Sequence, residues 1–75
     1  MITPEQCRAA RALLDWSRRE LATRARVSEQ TIANFELGKR DAYERTLADI
    51  VRVLEKAGVV FLARNGGGPG VRLKA

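Results

Sequence analysis

The chain has 75 residues, of which 45% are hydrophobic and 31% charged, and it carries a formal net charge of +5 at pH 7. That length holds one domain with a small core, marginal without help. A single cysteine and the absence of histidine exclude an intrachain disulfide and an ordinary Cys/His zinc site, while the predominance of arginine favours an anionic partner, nucleic acid before an acidic membrane surface.

The first residues, MITPEQ, read as a helix start and not as a basic leader. With no apolar run near the length of a membrane span, the expected location is cytoplasmic. Thr3 is the expected cap, Pro4 the first helical residue and Gln6 the partner that completes a capping box. Helix 1 should run to about Leu14, with Cys7, Ala10, Leu13 and Leu14 as its apolar stripe and Arg8 and Arg11 on its flank. Cys7 reads as a small, partly buried residue of that helix, with a redox sensor as the sharper alternative. Asp15 and Trp16 form a connector, and Trp16 is expected as a lid over helices 1 and 2. A stacking role for Trp16 fits poorly with duplex DNA, which hides its base faces.

Residues 17–40, SRRELATRARVSEQTIANFELGKR, carry the most information. Ser17 followed by Glu20 is the S-x-x-E capping box of a second helix, whose inward face is Leu21, Ala22 and Ala25. Arg26 and Val27 make the turn. Ser28 caps a third helix over about 29–37, with Ile32 and Phe35 on one face above Val27, and Gly38 is a natural left-handed stop. Two helices joined by so short a turn must cross steeply, which is the helix-turn-helix arrangement.

Residues 39–44 form a loop of mixed charge, in which Tyr43 can either pack on helix 4 or donate its hydroxyl to a phosphate. Thr46 is the expected cap of helix 4, with Asp49 at the box position. Leu47, Ile50, Val51, Leu54 and Ala57 then recur at helical spacing until Gly58. These fill the space left by helices 1 to 3, and a plain core is the expected role in preference to a coenzyme or lipid pocket. Residues 58–62, GVVFL, read as a strand, 65–70 as a turn cluster and 71–73 as a second short strand, giving a C-terminal hairpin or extended arm. The glycine cluster lacks the following helix and internal lysine that a phosphate-binding loop requires. Because Val60 and Leu62 lie opposite Val59 and Phe61, the strand is apolar on both faces, and a lone hairpin is marginal. Both problems disappear if one face packs on helix 4 and Val60 and Leu62 meet a second subunit. The expected organisation is thus a helix-turn-helix domain over 1–57 and a dimerising β-arm over 58–75.

The outer face of helix 3 points to the function. Glu29, Gln30, Thr31 and Asn34 are polar and lie away from Ile32 and Phe35. Gln and Asn pair bidentately with adenine, Thr bonds to a base or touches a thymine methyl, and Glu accepts from cytosine. Arg18, Arg19, Lys39, Arg40 and Arg45 surround them and suit phosphates. The plainer alternative is a solvated helix face. Residues 17–40 resemble the Cro/XRE type of helix-turn-helix through the pattern R-x-L-A…V-S-x-x-T-I-x-N-F-E-x-G-K-R, and with helices 1 and 4 the likeness spans roughly residues 4–57. It implies a mainly α, lambda-repressor-like bundle of four helices, with the start of the second motif helix in the major groove. By that likeness Glu29, Gln30, Thr31 and Asn34 fall on base-reading positions, and Ser17, Arg18, Ser28, Lys39 and Arg45 on backbone-contacting ones. It also pairs Arg11 with Glu36 as a bridge between helices 1 and 3. Arg26 stands where the family usually has glycine, so positive φ there would carry strain.

The full chain, including its tail, resembles compact bacterial regulators built of little beyond this domain. The sequence therefore predicts a sequence-specific, duplex-DNA-binding transcriptional regulator, nucleoid-associated and dimeric, with no cofactor. A protein-interaction module of antitoxin-like or adapter type on the same fold is the alternative. An enzyme is disfavoured by the missing histidine and the lack of a supported carboxylate pair. A membrane-surface role is disfavoured too, since no helix couples a large apolar face to a basic one.

Overall fold

The computed structural model describes residues 2–40, 42–63 and 67–74. Four helices, α1 (Pro4–Leu14), α2 (Arg18–Ala25), α3 (Glu29–Glu36) and α4 (Glu44–Lys56), are followed by an antiparallel hairpin of β1 (Val59–Leu62) and β2 (Gly70–Leu73). The glycine-rich turn expected over 65–70 lies in part, at Asn65 and Gly66, outside the described residues.

Local capping sets most of the boundaries. Thr3 accepts from the Gln6 N–H at 3.1 Å while the Gln6 side chain accepts from the Thr3 N–H at 2.9 Å, a complete capping box. The second box is only half made. Ser17 accepts from the Glu20 N–H at 3.0 Å, but the Glu20 carboxylate turns to Arg24 Nε at 2.7 Å, an ion pair one helical turn along. At the end of α3 Gly38 has φ +70°; its N–H donates to the Phe35 carbonyl and that of Lys39 to the Asn34 carbonyl. That paired arrangement satisfies two carbonyls that the helix end would otherwise leave open.

The start of α4 differs from expectation. The cap is Tyr43, with no side-chain hydrogen bond, and the first turn closes through Leu47 N–H to the Tyr43 carbonyl at 2.9 Å. Thr46 is therefore inside the helix, and Asp49 bonds Arg52 at 2.9 Å instead of completing a box. Burial of Leu47, Ile50 and Leu54 requires α4 to be in register from Glu44, and that packing outweighs the roughly 1 kcal/mol that a Thr cap contributes.

The core lies where all the elements meet: Cys7 and Ala10 from α1, Leu21 from α2, Ile32 and Phe35 from α3, Ile50 and Leu54 from α4, and Val59 from β1. Leu13 does not join it. At 42% exposure it sits on the outer side of α1, where the helix has turned past the core. Ala57 is likewise exposed, at the C-cap of α4. Trp16 is half-buried against the core with the Arg24 guanidinium 4.4 Å from its ring centre, and it borders a groove with Val53 of α4. It lies over α2 and α4, then, more than over α1.

The hairpin is not a free arm. Its register pairs Val59 with Leu73 and Phe61 with Val71, so these four share one face. Val59 is buried and Phe61 and Val71 pack on the core, against both α1 and α4. The Gln6 amide adds a polar tie, donating to the carbonyls of Leu62 at 3.1 Å and Gly70 at 3.0 Å. The other face carries Val60, half-buried, and Leu62, exposed, with Arg72 and Gly70 opposite them. Among the described residues no helix is long and apolar enough to cross a membrane.

Candidate nucleic-acid interface

The candidate surface is built on α3, and what holds α3 in place is a buried ion cluster. Glu36, its last residue, is 1% exposed. Arg11 of α1 grips its carboxylate with two bonds, Nε to Oε2 and Nη2 to Oε1, both 2.7 Å. Arg18 of α2 adds Nε to Oε1 at 3.1 Å, and the Cys7 thiol donates to Oε2 at 3.1 Å. The Glu36 backbone carbonyl accepts from Arg8, and Arg11 also donates to the Trp16 carbonyl at 3.0 Å. Side chains of α1 and α2 thus converge on the carboxylate that ends α3, and Arg11 ties the connector to the same cluster.

The electrostatics follow from that convergence. Burial alone would push the Glu36 carboxyl up, but donors from Arg11, Cys7 and Arg18 outweigh it and hold the pKa below the usual carboxylate value. Burial pushes the Cys7 thiol far up, and the hydrogen bond to Glu36 and its negative charge add to the effect. Cys7 is fully buried, protonated and a donor, which makes it a structural residue of this cluster. The hydrogen bond to Glu36 raises the Arg11 pKa still further.

With its C-terminal end fixed, α3 turns Ile32, Phe35 and Glu36 inward and leaves Glu29 and Gln30 exposed and Thr31 and Asn34 half-exposed on the outside. Ser28 accepts from the Thr31 N–H at 3.0 Å, and the two hydroxyls of Ser28 and Thr31 lie 2.7 Å apart in a hydrogen bond. Gln30 donates from Nε2 to Asn34 Oδ1 at 2.9 Å. Apart from Glu29, the polar side chains of the outer face are therefore bonded to one another in pairs. Thr31 and Asn34 also line a depression of about 190 Å³ with Arg40, Ala42, Tyr43 and Thr46.

The cations predicted from the sequence are placed unequally around that face. The backbone N–H groups of Lys39 and Arg40 both bond the Asn34 carbonyl, which sets these two residues at its C-terminal edge, both exposed. Arg40 shares the depression with Asn34. Arg45 is exposed in the first turn of α4, and Arg19 is exposed in the first turn of α2, beside the Ser17 cap. Arg18 is the exception: 33% of its side chain is exposed and its Nε is committed to Glu36. Tyr43 is 82% exposed, so it is not packed on α4. Sequence reasoning passed over Thr46 and Ala42 as neighbours of Asn34, because the loop that folds them against α3 has no periodicity to read. In the turn, Arg26 adopts φ 58° and ψ 43°, the left-handed conformation expected of a glycine, and Asp15 does the same at the end of α1. The Arg26 backbone thus makes the turn without distorting it.

Two helices in this arrangement, one locked behind a second whose polar face is open, define a helix-turn-helix domain. A sequence model of the family described as helix-turn-helix matches residues 8–59, more than half of the chain. The protein belongs to that family, the Cro/XRE-type DNA-binding transcription regulators. No curated protein matches the chain at significance.

Proposed function

We propose that the protein is a sequence-specific transcriptional regulator that places α3 in the major groove of duplex DNA. Glu29, Gln30, Thr31 and Asn34 are the base readers. Ser17, Arg18, Arg19, Ser28, Lys39, Arg40 and Arg45 hold the phosphates on either side, aided by the positive N-terminal ends of α2 and α3. The observation that carries this reading is the fixed polar face of α3 with Lys39 and Arg40 set against Asn34 at its edge. Regulation is by occupancy, through blocking or recruiting polymerase from the cytoplasm.

The protein acts as a homodimer joined through Val60 and Leu62. The apolar outer face of the hairpin, with Leu62 at 41% exposure, supports this arrangement. Such a dimer reads half-sites about one helical turn apart, roughly 34 Å, or a multiple of that.

Selection of bound duplexes from a random library at near-physiological salt, followed by sequencing, tests the reading. An enriched inverted repeat is the expected result. Binding that only fades as salt rises, with no enriched sequence, would reduce the basic face to non-specific attraction. The hairpin face would then be the place to look for a protein partner of the antitoxin or adapter kind.

A further inference from the structure

We infer that two copies of the chain join edge to edge along β1, antiparallel across a two-fold axis, and so form one four-stranded sheet of order β2-β1-β1-β2. This inference rests on the proposed homodimer and states how that dimer is built.

The hairpin register decides which backbone groups are already used. The Lys74 N–H donates to the Gly58 carbonyl at 2.8 Å, so residues 58 and 74 are a hydrogen-bonded pair of the ladder. Such pairs alternate along an antiparallel ladder, which makes Val60–Arg72 and Leu62–Gly70 the next two. The N–H and C=O groups of Val59 and Phe61 therefore point away from β2. Among the described residues these groups have no backbone partner. Val59 is 3% exposed and Phe61 half-buried, and backbone groups so placed are almost always paired in a finished structure.

β2 has an outward edge too, at Val71 and Leu73, but the two edges are protected differently. β2 follows Pro69 and carries Arg72, with Lys74 just beyond it. Two copies paired there would set cations beside cations. β1 is Val59-Val60-Phe61-Leu62, with no charge and no proline, and its register runs without a bulge. An edge strand that stays open to water normally carries one of those devices.

The surroundings of β1 suit a second copy. Between α4 and the end of β1 lies a groove of about 410 Å³ with Ile2, Val51, Phe61 and Leu62 in its lining, and Glu55 is its one charged lining residue among those described. In a chain of net charge +5, two copies can meet here without opposing their cations. Pairing gives the Phe61 N–H and C=O their partners and brings Val60 and Leu62 of both copies together on the outer face. The two Arg72 side chains stay apart, on the outer strands. A two-stranded hairpin, marginal by itself, becomes part of a sheet of four.

The test compares the native chain with Val60→Lys, which gives β1 the kind of charge that β2 already carries, on the face turned away from the core. By light scattering at tens of micromolar the native chain should be a dimer and Val60→Lys a monomer with its helical spectrum kept. In the native dimer the Phe61 amide should exchange about ten-fold or more slowly than in the variant, while the Leu62 amide, already bonded within the hairpin, changes less. If Val60→Lys loses its helical spectrum, the native chain diluted until it dissociates serves as the monomer. A native dimer whose Phe61 amide exchanges as fast as in the monomer overturns the edge pairing and leaves a homodimer held by side chains alone. Val60→Lys dimerising as tightly as the native chain also overturns it and moves the interface off the hairpin. A native chain that stays monomeric removes both the pairing and the homodimer it rests on.

Discussion

Arg11 holds Glu36 with two hydrogen bonds of 2.7 Å and so fastens the end of α3 to the last turn of α1. The planar guanidinium suits this two-point grip, and lysine could not reproduce it. Because Glu36 is 1% exposed, removing Arg11 leaves a buried carboxylate held only by the longer bonds from Arg18 and Cys7. Arg11→Ala should lower stability by about 3–5 kcal/mol, most of what a domain of this size has. Urea titration followed by circular dichroism measures it, and a loss under about 1 kcal/mol would contradict the bridging role.

The same cluster sets the behaviour in acid. The Glu36 pKa is lower folded than unfolded, so the unfolded chain binds the extra proton first as pH falls. Stability from this group is complete above the unfolded carboxylate value of about 4.3 and disappears as pH drops through the lower folded value. Melting temperature against pH should fall steeply on the acid side in the native protein. In Glu36→Gln, which starts lower, that contribution to the slope should be missing.

Arg26 holds φ at 58°, a conformation that costs a residue with a Cβ roughly 1–2 kcal/mol. Arg26→Gly removes that strain and adds some flexibility to the unfolded chain, for a net gain of up to about 1 kcal/mol. A rise in melting temperature of about 4 °C is expected. If DNA affinity drops in the same variant, Arg26 is itself a phosphate contact.

Gln6 is the polar link between the helices and the hairpin. Replacing it with Ala strands the Leu62 and Gly70 carbonyls and opens the Thr3 cap, at a cost of about 1–3 kcal/mol. Amide exchange should speed up in β1 and β2 before it does in α2 and α3. Uniform acceleration across the chain would show that the hairpin is secured by apolar packing alone.

Phosphate and base contacts separate by salt. Lys39→Ala or Arg45→Ala should weaken all duplexes alike and reduce the slope of log affinity against log salt by about 1. Arg18→Ala should weaken binding and also loosen the Glu36 cluster, since its Nε is bonded there. A variant that changes the slope with no change in melting temperature would place Arg18 at the DNA alone.

What could be read from the sequence was local or carried by resemblance. Thr3, Ser17, Ser28 and Gly38 act within a few residues of themselves, and each sits where its chemistry puts it. The Arg11–Glu36 bridge was implied by the family pattern and is present. Cys7 and Arg18 on Glu36 span 29 and 18 residues of sequence, and no periodicity encodes them. Thr46 misleads because a cap-forming residue is only a weak local preference, and the packing of Leu47, Ile50 and Leu54 decides the start of α4. The Gln30–Asn34 bond lies at the i,i+4 spacing that a helix brings together, so the signal for it was in the sequence.

The ion cluster at Glu36 also limits how the protein can adapt to its target. Tilting α3 would pull a buried carboxylate out of the grasp of Arg11 and Arg18, while Ser28 and Thr31 secure the opposite end. A probe this stiff cannot follow the groove, so in the proposed complex the duplex has to do the bending. Flexible pyrimidine–purine steps and the local width of the groove would then influence affinity at base pairs that no side chain touches.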